Sequence, residues 1–226
     1  MIMHNNDPGA ERLVVLVTQR VDYIQDYGET RDALDQRLME WLTYAGLASF
    51  PVPNSLIYGD LMKRGMDEKQ RYLTEWVQRL SPDALVLSGG NNIGQFARRD
   101  LTEGYLLDWA EKHRVPVLGI CRGMQFMVKW AGGELVEVAH HVGIRHSLEK
   151  MMDQEILPDE VNSYHNWGLR ECPSQFKVMA RTEDGVIEAI RHDSLPWEGW
   201  MWHPERENPF IKEDIDRIKQ LFKIKN

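Results

Sequence analysis

Short runs of apolar, β-branched residues alternate along this chain with stretches whose apolar residues fall at helical spacing, and that alternation admits few folds. Leu13–Val17 is an unbroken apolar run, the pattern of a strand buried on both faces. Ala84–Leu87 and Val115–Ile120 repeat it. Arg31–Gly46 reads as a helix: Leu34, Leu38, Trp41, Leu42 and Ala45 form one stripe, and Gly46 is a natural stop. Glu68–Leu80 carries a similar stripe of Tyr72, Trp76, Val77 and Leu80. Thr102–Lys112, with Thr102 as cap, Met124–Ala131, and Pro209–Lys223, with Pro209 near its first turn, complete the helices. Short strands are expected at Glu134–Val138, Phe176–Ala180, Val186–Ile190 and Gly199–Trp202. The order implies an α/β fold with a mostly parallel sheet covered on both faces.

Composition narrows the classes. The chain has 226 residues, of which 42% are hydrophobic and 27% charged, so it is neither disordered, collagenous nor a coiled coil as a whole. Its length suits one domain over residues 13–226, after a flexible N-terminus at 1–12. A net charge of -8 argues against nucleic acid or an anionic membrane as the main partner. The start, MIMHNNDPGAER, lacks the apolar core of a secretory signal, and Leu13–Val17 is far short of the roughly 20 residues that span a bilayer. The two cysteines, Cys121 and Cys172, make no disulfide framework, so a reducing cytoplasm is expected.

Three segments carry chemistry. Val117–Ile120, then Cys121-Arg122-Gly123, then an apolar helix make a strand–turn–helix with Gly119-x-Cys121-x-Gly123 at its corner, the thiol counterpart of a nucleophile elbow. The glycines permit a tight turn that lifts the thiol into the open. The helix N-terminus favours thiolate, and the Arg122 N–H points where an oxyanion would form. A buried structural cysteine is the blander alternative. Second, Met201-Trp202-His203-Pro204-Glu205 follows an apolar strand. Alternate strand residues share a face, so His203 could take the thiol proton while Glu205 orients its ring. Third, Ser88-Gly89-Gly90 ends another buried strand, where paired glycines let backbone N–H groups approach a substrate or merely make a turn.

These motifs in this order resemble class I glutamine amidotransferases over essentially the whole domain. Gly119–Gln125, the Arg99-Asp100 pair, Val161-Asn162-Ser163-Tyr164-His165 and Trp202–Glu205 look most like the γ-glutamyl hydrolase (peptidase C26) branch, which includes γ-glutamyl-γ-aminobutyrate hydrolases. Thr18-Gln19-Arg20 with Glu29–Asp35 is similar to γ-glutamyl-CDP-amidate hydrolases. The resemblance implies a three-layer, flavodoxin-like sheet. It implies Cys121 as nucleophile, with His203 and Glu205 completing a triad. Gly90 and Arg122 would supply the oxyanion N–H groups, with Gly89 an alternative to Gly90. Gln125 and the strand Asn162, Ser163, Tyr164, His165 would hold the glutamyl part of a small-molecule γ-glutamyl substrate. No metal or organic cofactor is implied, and no ATP-binding glycine loop is present in the sequence.

Other residues admit two readings. His140, His141 and His146 cluster, but no cysteine or acid stands among them at zinc-like spacing, so a loop at the mouth of the site is expected rather than a metal centre. Arg98 and Arg99 are either a solvated face or a phosphate site, and Arg145 could meet an anionic leaving group. The tryptophans read as core, with Trp202 a possible pocket wall. Three functions stay open: a self-sufficient γ-glutamyl amide hydrolase, a glutaminase subunit feeding ammonia to a separate synthetase, and a binding module that has lost catalysis.

Overall fold

A computed structural model describes residues 12–57, 66–151 and 156–224. The expected flexible N-terminus, apart from Arg12, and part of the loop expected at 153–160 lie outside them. In chain order the strands are β1 (Val14–Thr18), β2 (Arg20–Ile24), β3 (Glu29–Ala33), β4 (Ala48–Val52), β5 (Ala84–Leu87), β6 (Val117–Ile120), β7 (Val136–Glu137), β8 (Val142–Ser147), β9 (Glu149–Lys150), β10 (Glu160–Tyr164), β11 (Trp167–Gly168), β12 (Phe176–Arg181), β13 (Ile187–His192) and β14 (Trp197–Trp200). The helices are α1 (Gln36–Tyr44), α2 (Met66–Leu80), α3 (Ala97–His113), α4 (Arg122–Trp130) and α5 (Lys212–Leu221).

Eight strands form the central sheet, in the order β4-β1-β5-β6-β14-β13-β12-β9. The pairs from β4 to β14 are parallel, and those from β14 to β9 are antiparallel. Alternation along each parallel strand divides the core. Val15, Val17, Ala84, Val86, Leu118 and Ile120 pack with α1 and α5 on one face. Leu16, Leu85, Leu87 and Val117 pack with α2, α3 and α4 on the other. The result is three layers, with the sheet apolar on both sides because both sides are covered.

Several boundaries differ from those the sequence predicts, each for a local reason. The helix expected from Arg31 begins at Gln36, where Asp35 caps it by accepting from the Arg37 N–H at 2.9 Å. Glu29–Ala33 instead pairs with Arg20–Ile24 as a hairpin, turned at Gly28 with φ 61°. β4 escapes the apolar-run criterion because it contains Pro51, which is tolerated on an edge strand. α3 starts at Ala97, so Thr102 is no cap but a fully buried interior residue. Pro209 lies ahead of α5, whose N-cap is Ile211. In α2 Leu73 and Val77 are buried, whereas Tyr72 is exposed. The segment around His140–His146, expected as a loop, is largely strand β8, paired with β10.

Candidate active site

The elbow between β6 and α4 forms as its glycines require. Cys121 has φ 49° and ψ -104°, a strained backbone for a residue with a side chain. A Cβ at Gly119 would stand 2.6 Å from Met127 Sδ, and one at Gly123 would run into the Leu87 carbonyl oxygen. Both positions must therefore stay bare for α4 to start against β5. The corner is pinned by the Cys121 N–H donating to the Trp200 carbonyl at 2.7 Å and by the Gln125 N–H donating to the Cys121 carbonyl at 3.0 Å. Arg122 opens α4, so its N–H has no partner within the helix and faces the corner.

His203 meets Cys121 by a different route from the one strand alternation suggests. β14 ends at Trp200, and Pro204–Arg206 forms a single 3-10 turn with His203 as its N-cap. That turn, not a pleat, brings Glu205 Oε1 to 2.6 Å from His203 Nδ1. The other ring nitrogen is left for the thiol, whose proximity to His203 contributes to the raised value of the imidazole. Burial opposes the imidazolium, but Cys121 and Glu205 outweigh it and raise His203 to about 9. The ring is tightly packed: a Cβ on Gly89 would stand 2.8 Å from its Cε1, and the Tyr164 ring meets it edge-on at 6.0 Å.

The loop after β5 is held by a residue whose role is not visible in its sequence position. Arg99 is fully buried, and its guanidinium donates to the carbonyls of Ser88 at 2.7 Å and Gly89 at 3.0 Å. A trans peptide sets N–H opposite C=O, so both bonds turn the Gly89 and Gly90 N–H groups away from α3. The cleft on the opposite side is lined by Gly89, Gly90, His203, Glu205, Arg20 and Arg206. Arg99 is thus neither a solvated face nor a phosphate ligand. Glu103 Oε1 accepts from its Nε at 3.0 Å and from the Thr18 hydroxyl at 2.9 Å. The Arg122 side chain is buried as well, paired with Asp100 and Glu103, so only its backbone is open to the site.

The expected substrate strand divides. Asn162 clamps His203: its Nδ2 donates to the His203 carbonyl at 2.8 Å, and its Oδ1 accepts from the His203 N–H at 3.0 Å. Its amide is therefore spent on the histidine backbone and on Glu207. Ser163 is fully buried and donates to the His141 carbonyl at 2.7 Å. His165 is buried beside Glu188. Of the four, only Tyr164 is exposed. Gln125 Nε2 donates to the Trp167 carbonyl at 2.8 Å, and its side chain lines a cleft of about 450 Å³ with Asn92, Ile93 and Trp167. Arg145 is paired with Glu160 and Glu207 and Arg98 lies in a separate cleft, so neither is a free cation at Cys121. Trp202 is core, stacked on Trp200 at 5.3 Å and donating to Asp214, and is no pocket wall.

The environments of the two cysteines predict selective alkylation. Burial pushes the Cys172 thiol up to about 11. At pH 7 only roughly one Cys172 in 10⁴ is then thiolate. Cys121 is not lifted into the open but buried, 6% exposed, at a helix N-terminus against His203. Iodoacetamide at pH 7 should modify Cys121 at least about 100-fold faster, as peptide mass mapping would show; equal rates would mean that the thiol is not activated.

The peptidase C26 family model matches residues 65–205, more than half of the chain. The chain is 29% identical to a γ-glutamyl-CDP-amidate hydrolase of Campylobacter jejuni over 147 residues, 62% of this chain and 70% of that one. It is 29% identical to the glutamine-hydrolyzing GMP synthase subunit of Pyrococcus abyssi over 189 residues, 80% of this chain and 88% of that one. Among solved structures, a protein of Thermoplasma acidophilum assigned as a GMP synthase subunit superposes with a TM-score of 0.68 at 22% identity, over 95% of both chains.

Proposed function

Because the chain belongs to the peptidase C26 family of class I glutamine amidotransferase-like proteins, and is a hydrolase of carbon–nitrogen bonds, we propose that Cys121, His203 and Glu205 cleave a γ-glutamyl amide through a γ-glutamyl thioester. The observation that carries the reading is the meeting of a cysteine on a strained elbow with an imidazole held by a carboxylate. The thiolate attacks the γ-carbonyl. The oxyanion is received by the Arg122 N–H and by an N–H of the Gly89-Gly90 loop, and one such donor is typically worth about 2.7–4 kcal/mol. His203 gives its proton to the leaving nitrogen and then takes one from the water that releases glutamate. Gln125 and Tyr164 border the glutamyl part. Arg206, which lines the cleft, is the cation placed to meet an anionic leaving group; Arg20 lines it too but is paired with Asp22 at 2.9 Å.

The substrate we favour is a γ-glutamyl conjugate such as γ-glutamyl-CDP-amidate, hydrolysed by residues 13–226 acting as one domain in the cytoplasm. Similarity to the Campylobacter hydrolase supports it. No helix among the described residues is long and apolar enough to cross a membrane. The second reading, a glutaminase subunit serving a separate synthetase, is favoured by the longer match to the Pyrococcus GMP synthase subunit. Purified protein incubated with glutamine, γ-glutamyl-aminobutyrate and γ-glutamyl-CDP-amidate separates them by glutamate release. The first reading expects turnover of a conjugate without any partner. Turnover of glutamine only when a synthetase is added would establish the second, and silence on all three substrates would contradict both.

A further inference from the structure

Away from Cys121, three buried side chains from separate segments point their ligand atoms at one another. His141 precedes β8, His165 follows β10, and Glu188 lies in β13; one ligand atom from each falls within 4.8 Å of the others. Each histidine is anchored by its outer nitrogen. His165 Nδ1 lies 3.0 Å from the Trp167 carbonyl oxygen, which can only accept, so Nδ1 carries the proton and a neutral ring presents a bare lone pair at Nε2. His141 Nε2 lies 3.1 Å from Asp184 Oδ2, so in the neutral ring Nε2 carries the proton and Nδ1 is bare in the same way. Those inward nitrogens face Glu188 Oε1 at 3.3 Å from His165 and 3.6 Å from His141. His141 Nδ1, His165 Nε2 and both Glu188 oxygens are buried without a hydrogen-bond partner, as is His146 Nε2. The His146 ring centre is 4.2 Å from that of His141.

Convergent acceptors in a buried space repel one another unless a cation lies between them. Around a tetrahedral zinc ion with bonds of about 2.0–2.1 Å, neighbouring ligand atoms stand about 3.3 Å apart, close to the 3.3 and 3.6 Å that separate the two histidines from Glu188 Oε1. Imidazoles anchored through their far N–H by a carboxylate and a carbonyl are the usual outer shell of a zinc site. We propose that His141, His165 and Glu188 bind a zinc ion, with Asp184 and the Trp167 carbonyl as the outer shell. The ion would tie together the segments behind the active site. The His141 carbonyl accepts from the Ser163 hydroxyl and the His165 N–H, β10 carries the Asn162 clamp on His203, and the Trp167 carbonyl also accepts from Gln125. The sequence pattern conceals the site because its acid, Glu188, lies far along the chain from the histidine cluster.

The test uses the full chain with Cys121→Ser and Cys172→Ser, so that no thiol competes for metal. Protein stripped with a chelator is titrated with zinc chloride, and bound metal and thermal midpoint are read together. The proposal expects about one zinc per chain and a raised midpoint, with cobalt(II) giving the visible absorption of a tetrahedral site. Glu188→Gln should abolish stoichiometric binding. The half-exposed outer-shell variant Asp184→Asn should weaken it about 10–100-fold, and serves as the deciding variant should Glu188→Gln fail to fold. Absence of stoichiometric zinc in the stripped and titrated protein would overturn the proposal. So would zinc binding that neither substitution alters.

Discussion

Cys121→Ala is expected to lower glutamate release by roughly 10⁴-fold or more, with the fold retained, because without the sulfur there is no acyl acceptor and the remaining groups act only as binding and oxyanion elements. The variant keeps a Cβ at φ 49°, so the elbow and its hydrogen bonds to Trp200 and Gln125 should persist. His203→Ala should cost a similar factor, since the proposed nucleophile and its proposed acid–base partner would act as a unit. The pH profile follows from the same pair. With His203 raised to about 9, the wild-type rate should fall as pH climbs through that value and the imidazolium that protonates the leaving nitrogen is lost. Stability moves with the same sign. The raised pKa contributes fully below the ordinary histidine value near 6.5, and that contribution is lost as pH rises through about 9.

The second large effect is expected at Glu103. This carboxylate is fully buried between the guanidinium groups of Arg99 and Arg122, which are themselves buried. Burial pulls Arg99 down to about 10, and burial together with the nearby Arg99 charge pulls Arg122 to about 9. Both cations are held in place chiefly by Glu103 and Asp100. Glu103→Gln keeps the shape and removes the charge. Breaking a buried pair in this way costs about 3–5 kcal/mol, and in a chain of this size that lowers the melting temperature by about 6–20 °C. Because Arg99 also holds the Ser88 and Gly89 carbonyls, kcat should drop together with stability. A thermal melt within about 2 °C of wild type would show that the network is not under the strain its burial implies.

The central part of this architecture is legible in the sequence because it rests on local patterns. The central strands β1, β5 and β6 carry apolar runs, and the elbow needs bare glycines on both sides of one residue. His203 and Glu205 are close in sequence, so their partnership is readable even though a 3-10 turn, rather than a strand, joins them. What escapes is long-range. Arg99 looks like part of a basic surface until α3 is seen to start at Ala97 and turn it inward onto the Ser88-Gly89 carbonyls. Asn162, Ser163 and His165 share one strand segment, yet the pleat and the pairing with β8 send Ser163 and His165 toward His141 and leave Asn162 to grip His203. The hairpin of β2 and β3 escapes because all but one of its strand residues are exposed or half-buried and they carry no apolar run.

The central claim is that the reaction passes through a γ-glutamyl thioester on Cys121. The measurement that meets it most directly is the intact mass of the protein quenched in acid during turnover of a γ-glutamyl amide, followed by peptide mapping. The account predicts a species heavier by one glutamyl unit, with the added mass on the peptide containing Cys121, absent from Cys121→Ala and discharged by hydroxylamine. Full turnover by Cys121→Ala, or a glutamyl adduct on any other residue, would contradict it.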